Sequence, residues 1–472
     1  MSQETKLVKS FSTKDVMAMA FGTMIGWGWI MLSGKWAADA GMMGAISAYL
    51  VGAVMCIFIG LAYAELTPAI PFTGGSVVFA YKSMGYWASV IAGLGTGLAY
   101  LGVAAWEGPA FSTAITYVFP IPTVGHLGVI AGKDIWLSWS LIGVFAAVVI
   151  TYMNIKGAKS AAIFQNVATI GLIAVGIIFL GGGVAMGDIK NADPMFTNVE
   201  GWASVLLMVP AMFVGFDVIP QSAGEMDIPL KKIPSLLILS IFAAAAWYIL
   251  MIFATCMSAP FDFRSSGEGI PVADAMAYNF GSPIWGKICI IGALCGILTS
   301  WNGFLYGAAR VIYSLANAKM LPAWLGQIHP KYGTPANAVL VCGIISVASC
   351  FLGKGALVWF VDAASFGVVV MYGMVALSFI TLRIKQPNLA RPYKVPAFGF
   401  VAVMSVIVSV FFLWLYLPMG PAPLIPIEWV VVLGWFIITG ALAVYAKAKY
   451  KDVTDREREI LMFGEEYVNQ NK

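Results

Sequence analysis

Residues 24–30 read MIGWGWI. Two glycines, Gly26 and Gly28, alternate with two tryptophans, Trp27 and Trp29, in the first long apolar run of the chain. Glycine weakens a helix interior by roughly 0.5–1 kcal/mol relative to alanine. A pair of glycines therefore either opens the helix or lets a neighbouring helix pack closely. Which of the two holds decides the fold, and the rest of the chain bears on it.

The chain has 472 residues, of which 60% are hydrophobic and 11% charged. Its mean hydropathy is +0.86. Soluble chains run at roughly 45–50% apolar and about 25% charged, so this composition belongs in a bilayer. The net charge is +4, but no basic cluster or aromatic–basic alternation points to nucleic acid. All six cysteines (Cys56, Cys256, Cys289, Cys295, Cys342, Cys350) fall inside apolar runs with no CxxC pair. Neither a disulfide scaffold nor a metal site is expected. Two histidines, His126 and His329, leave a catalytic triad or a histidine proton relay poorly supplied. The N-terminal MSQETKLVKSFSTKD lacks a small-residue cleavage site, so no removable signal peptide is expected.

A bilayer core needs about 20 apolar residues per helix. On that rule the chain holds about twelve transmembrane runs, near 14–38, 42–70, 86–118, 136–154, 160–186, 201–222, 234–258, 282–316, 336–352, 356–382, 398–418 and 427–447. The expectation is an all-α membrane protein with one helical membrane domain at 14–447. A cytoplasmic N-terminus (1–13) precedes it, and a charged cytoplasmic tail (448–472), able to form a short helix, follows. Lysine and arginine placement sets the orientation. With the N-terminus inside, the cytoplasmic segments collect most of the positive charge, from Lys6, Lys9 and Lys14 to Arg391, Lys394 and the tail. Lys133, Lys190, Arg264, Lys287 and Lys354 fall outside. Both termini are expected in the cytoplasm.

Run 6 is interrupted as well, by FVGFDVIP (213–220), with Gly215 and Pro220. Runs 1 and 6 hold matching places if the first ten helices form two halves of five, about 14–186 and 201–382. Five is odd, so the halves are inverted with respect to each other, and helices 11 and 12 (about 398–447) are extra. Paired interruptions at matching places are the mark of an inverted-repeat transporter. The glycines of MIGWGWI thus read as a break in helix 1 rather than as a packing surface.

Three further stretches carry a resemblance. YAELTPAIPFTGGSVVFAYKSMG (63–85), FVGFDVIPQSAGEMDIPLKKIP (213–234) and GAARVIYSLANAKMLPAWLGQIHPKYGTPANAV (307–339) together resemble the amino acid–polyamine–organocation superfamily of secondary transporters. The resemblance covers most of residues 12–445. It implies a fold similar to the leucine-transporter architecture, a 5+5 inverted repeat with broken helices 1 and 6. It also implies alternating access and substrates that are amino acids or related amines.

Residue by residue, the resemblance places substrate contacts at Ile25, Gly26, Trp27 and Gly28 in the helix 1 break, for the carboxylate. For the amino group it places them at Ala211, Phe213, Val214, Gly215 and Phe216 in helix 6, with one of the two phenylalanines serving packing. Broken helices expose N–H and C=O groups suited to those charges. Trp27 departs from the family's usual small residue and narrows the pocket or points into the vestibule. Trp29 reads as packing. Trp301, in ILTSWNGF, stands where some relatives stack an aromatic on the substrate. Glu107, in AAWEGPAF, is an acid inside an apolar run and by default functional. It pairs with a substrate ammonium or carries a proton; the plain alternative is a hydrated outer position or a pair with Lys35. Asp217 accepts hydrogen bonds from the exposed backbone.

For coupling, Leu172 stands where many proton-coupled relatives carry a lysine. Thr299 and Ser300, with carbonyls of Gly22, Ile25 and Gly296, resemble a sodium site; back-bonding to the preceding turn is the plain alternative. Sodium, a proton, or exchange without an ion all stay open, and no other cofactor is expected. GLGTG (93–97) reads as close helix packing, and no Walker A stretch supports ATP-driven pumping. The chain reads as a secondary transporter of a bacterial inner membrane, a monomer or homodimer, importing a small amino acid or amine. A membrane-embedded enzyme or a channel lacks the acid clusters or parallel repeats it would need.

Overall fold

The computed structural model describes residue 7, residues 9–265 and residues 269–470. Lys6 and the last lysine, both counted in the charge bias, lie outside the described residues. The chain begins with α1 (Thr13–Met24) and α2 (Gly28–Ala40), which meet at a bend of 48°. Ser12 and Asp15 cap α1 reciprocally: Ser12 N–H donates to Asp15 at 2.9 Å, and the Ser12 hydroxyl accepts from Asp15 N–H. Next come α3 (Met42–Ala69), the short α4 (Ser76–Met84), α5 (Tyr86–Val118), α6 (Leu137–Lys156) and α7 (Ala158–Met186). The second half holds α8 (Val199–Phe213), the single turn α9 (Val218–Gln221), α10 (Ile233–Ser258), α11 (Phe261–Ser265), α12 (Pro271–Asn279), α13 (Pro283–Asn317), α14 (Ala336–Ser349) and α15 (Leu357–Lys385). The chain closes with α16 (Phe398–Tyr416), α17 (Pro426–Lys449), α18 (Asp455–Phe463) and α19 (Glu465–Gln470).

Ten spans are long and apolar enough to cross a bilayer among the described residues, one of them joining α8 to α9. The bent pair α1–α2 supplies another crossing, and Ala336–Leu352 is a shorter apolar helix in the ninth place. The protein is thus a multi-pass, all-α membrane protein. The packing follows the order that two exchanged halves demand. The third helix, α5, lies along the tenth, α15, as the eighth, α13, lies along the fifth, α7. Likewise α3 packs on α8 as α10 packs on α2, and α5 on α6 as α13 on α14.

GLGTG shows why glycine is needed at such contacts. A Cβ on Gly93 would sit 2.6 Å from Leu315 of α13, and one on Gly95 would sit 3.0 Å from the α15 backbone. One on Gly97 would sit 2.8 Å from Trp435 of α17. Three helices approach one helix at three successive faces. Side chains pointing away from the bundle stay apolar and exposed, Phe145 and Ile170 among them, as a lipid-facing surface requires.

One element departs from the all-α expectation. Between α5 and α6 a hairpin forms, β1 (His126–Ile130) with β2 (Lys133–Trp136), antiparallel. Its turn, Ala131–Gly132, has φ of +49° and +72°, the left-handed geometry that matches strand twist in a two-residue loop.

The described N-terminal residues and the tail meet the same face. Phe11 pairs with Met226, and Ser10 N–H donates to Glu225 O at 2.9 Å. Arg310 grips the Glu225 carboxylate at 2.8 and 3.0 Å, fully buried, with Tyr306 O–H adding a bond at 2.7 Å. Nearby, Asn317 donates to Leu461 O at 2.5 Å, and Tyr467 O–H donates to Ala69 O at 3.3 Å. That face is closed. Glu65, from the YAELTP stretch, joins α3 to the end of α15 by a bidentate pair with Arg383 at 2.5 Å, and Arg391 stands 3.1 Å away.

Candidate functional site

The two breaks lie back to back at the centre of the bundle. Between Met24 and Gly28 the helix is interrupted, with Ile25 at φ −103° and ψ 72°. After Phe213 the backbone leaves the helix and Gly215 takes φ +130°, which L side chains rarely adopt. A Cβ there would stand 2.8 Å from Met24 N, so Gly215 also lets the breaks touch. Asp217 holds this turn: its Oδ1 accepts from Gly215 N–H at 2.8 Å, and its Oδ2 accepts from Tyr100 O–H. The expected role of Asp217 as a backbone acceptor is what the geometry displays.

A cavity of about 50 Å³ opens at the helix 1 break. Gly26, Trp27 and Gly28 form one wall; Ala211, Met212 and Val214 of the helix 6 region form the facing one. Trp106 and Glu107 of α5, Tyr248 of α10, Ser300 and Phe304 of α13, and Val361 and Ser365 of α15 complete it. Gly28 opens α2 with no earlier helical turn for its N–H to bond and no side-chain cap, and it lines this space. The Met24 carbonyl on the other side of the break is taken by Tyr248 O–H at 2.9 Å.

Glu107 is 1% exposed, and its Oε2 has no hydrogen-bond partner. A Cβ on Gly26 would lie 2.7 Å from both Glu107 Oε1 and Ser300 Oγ, so the two side chains converge on the opening of α2. The alternative of a Lys35 pair fails, because Lys35 binds Asp39 at 2.6 Å. Glu107 is buried in the cavity wall and is not at a hydrated outer end.

The structure separates the other expected contacts. Gly26, Trp27, Gly28, Glu107, Ala211 and Val214 reach the cavity; Ile25, Phe213, Gly215, Phe216 and Trp301 stand behind it. Both phenylalanines pack, not one: Phe213 against Tyr49 and Tyr248, Phe216 against Tyr63 and Tyr372. Trp301 turns away to bond Ser346 Oγ at 3.3 Å, its ring over Gly108. Trp29 packs edge-on to Trp247, as expected. Trp106, Met212, Tyr248, Phe304 and Ser365 went unforeseen. Phe304 follows Ser300 by one helical turn, a spacing that could have revealed it. Tyr248 has no such signal.

The oxygens of the expected sodium site divide. Thr299 Oγ1 stands 3.0 Å from Gly22 O and 2.9 Å from Gly296 O. The Ile25 carbonyl lies beneath Gly296, 2.8 Å from where its Cβ would be. Ser300 instead faces Gly26 and Glu107. From α7 the side chains that meet Gly22 are Gln165 and Thr169. Leu172 is buried elsewhere on that helix.

A profile of the amino acid permease family matches residues 11–442. The chain belongs to this family. The permease is 27% identical over 431 residues to the branched-chain amino acid permease BcaP of Bacillus subtilis, covering 89% of this chain and 90% of that protein. It is 28% identical to the glutamate/serine transporter AimA of Bacillus subtilis, over 94% of this chain and 83% of that one. To the methylthioribose transporter of Bacillus subtilis it is 25% identical, over 88% and 89%. The family and these relatives are transporters.

Proposed function

We propose that the permease imports a small amino acid by alternating access, together with a proton carried on Glu107. The observation that carries this reading is the convergence of Glu107 Oε1 and Ser300 Oγ on Gly26. The start of α2 suits a substrate carboxylate, because free N–H groups and the helix dipole both favour an anion there. A second carboxylate at the same spot opposes it, since two like charges in a dry site cannot both persist. Glu107 must therefore hold a proton when the substrate arrives, and a protonated carboxyl donates a hydrogen bond to the substrate instead of repelling it. Proton and substrate then bind together, the condition for symport. Trp27, Trp106 and Met212 narrow the cavity and favour a small side chain. The lysine bias supports an orientation with both termini in the cytoplasm.

The test is uptake into vesicles with an imposed pH gradient, begun with branched-chain amino acids, serine and glutamate. Uptake by the wild type should rise when the outside is acidified. Glu107→Gln should lose that response while keeping exchange of internal for external substrate. A gradient response unchanged in Glu107→Gln sinks the proton reading, and uptake driven only by counter-substrate makes the permease an exchanger.

A second reading rests on Thr299. Its hydroxyl and the carbonyls of Gly22, Gly296 and Ile25 form an oxygen set of the kind sodium takes. Sodium would replace the bonds Thr299 now makes to two of those carbonyls.

A further inference from the structure

The face opposite the termini carries a second hollow, of about 280 Å³. Helix α5 sets its distance from the termini. Tyr86 starts α5 near the tail, and 33 residues of helix span about 50 Å to the far end. There Thr116, the following loop, β2, the start of α6 and Lys354 enclose the hollow, which shares no residue with the transport cavity.

Its wall offers donors and few acceptors. Lys133 and Lys354 both line it, close enough to repel one another. Neither ammonium has a carboxylate within ion-pair distance among the described residues. Lys354 Nζ lies 5.7 Å from the centre of the Trp139 ring. Trp139 is 7% exposed, and its buried indole N–H has no acceptor. The one acid on the wall, Asp134, is turned to His126 Nε2 at 2.9 Å. Ser138 is already committed, donating to Pro122 O and accepting from Val124 N–H. A buried donor left unpaired is unfavourable, and the two exposed ammoniums beside it repel one another. One kind of guest relieves both: a group with several negative oxygens.

We propose that this hollow binds a small oxyanion, a carboxylate or phosphate group, bridged by Lys133 and Lys354 and bonded by the Trp139 N–H. Such a guest joins β2 to the residues just before α15, whose Val361 and Ser365 wall the transport cavity. It would thus brace the outer end of α15 against α5 and α6. The same chemistry has two sources. One is a free anion in solution. The other is the headgroup of an anionic phospholipid, for which the exposed apolar side chains of Val124, Leu127 and Val129 on the adjoining hairpin are suited.

Melting of the full-length protein in detergent tests the proposal and separates the sources. Sodium phosphate and sodium acetate are titrated against sodium chloride at matched ionic strength, and phosphatidylglycerol against phosphatidylcholine. The wild type should show a saturable rise in melting temperature with phosphate or acetate, or with phosphatidylglycerol, and none with the controls. K133Q/K354Q should weaken the apparent affinity at least tenfold, and Trp139→Phe about threefold. K133Q/K354Q alters only the exposed rim, Trp139→Phe changes a buried ring, and the unliganded melting temperature checks that both variants fold. A response to soluble anions assigns a free ligand; a response to phosphatidylglycerol alone assigns a headgroup. No saturable response, or one that K133Q/K354Q retains in full, overturns the proposal.

Discussion

At the residue scale, Gly26 and Thr299 make the sharpest tests. Gly26 has no spare room: a methyl there would press on Glu107 Oε1 and Ser300 Oγ at 2.7 Å. Gly26→Ala should abolish substrate-induced thermal stabilisation, which for the wild type reaches about 2.7 kcal/mol at a ligand concentration 100 times Kd. Retained stabilisation would move the carboxylate subsite away from the opening of α2. Thr299→Ala combined with Ser300→Ala probes the ion. If sodium binds Thr299, sodium-stimulated uptake should vanish in the pair; sodium stimulation equal to wild type eliminates that site. Ser300→Ala alone should disturb only the Glu107 side. Trp27 also belongs to this scale. It lines the cavity and is 3% exposed, so Trp27→Ala should admit larger substrates in the uptake assay if the cavity is the substrate site.

Elements carry the next level. In each break a polar side chain takes one of the exposed backbone groups, Tyr248 the Met24 carbonyl and Asp217 the Gly215 N–H. Asp217 is the clearest case, fully buried and holding both Gly215 N–H and Tyr100 O–H. Asp217→Ala would leave both donors unpaired in a dry interior, at about 1–3 kcal/mol each. Its melting temperature should fall well below that of Asp217→Asn, which keeps one acceptor. Equal stability for the two variants would mean the break is held by packing alone. The break in helix 1 was readable only from MIGWGWI together with FVGFDVIP, because closely spaced glycines alone also occur within unbroken helices, as GLGTG does in α5. The hairpin 126–136 was not read. Its strands are short, and only the left-handed turn at Ala131–Gly132 marks them.

On the scale of the whole molecule, the closed face is held by few groups. Arg310 is fully buried, and its charge is matched by Glu225, which also takes Ser10 and Phe11 N–H on its carbonyl. Removing one partner of a buried pair costs about 3–5 kcal/mol. Glu225→Ala should therefore loosen this face and shift the population toward a state open there. A cysteine replacing Ser222, now 2% exposed, should react faster with a hydrophilic maleimide in the Glu225→Ala background. Unchanged labelling would show that the face is sealed by helix packing and not by the ion pair.

The amino-acid sequence by itself determined the membrane class, the order of the long helices, the places of the two breaks and the family. Each of these rests on local facts: apolar run length, glycine and proline within a run, and motifs in order along the chain. It also named Glu107, because a carboxylate in an apolar run has few reasons to be there. Tertiary structure alone decided which side chains face the cavity. Phe213, Phe216 and Trp301 lie beside wall residues in the chain yet point into aromatic and hydroxyl contacts behind it, while Tyr248 arrives from a helix with no distinguishing mark. Helical phase and the approach of partner helices set those directions, and both depend on contacts between residues far apart in sequence. The same holds for Lys133, Lys354 and Trp139: three unremarkable positions in the chain become one hollow only when the hairpin folds over the start of α6.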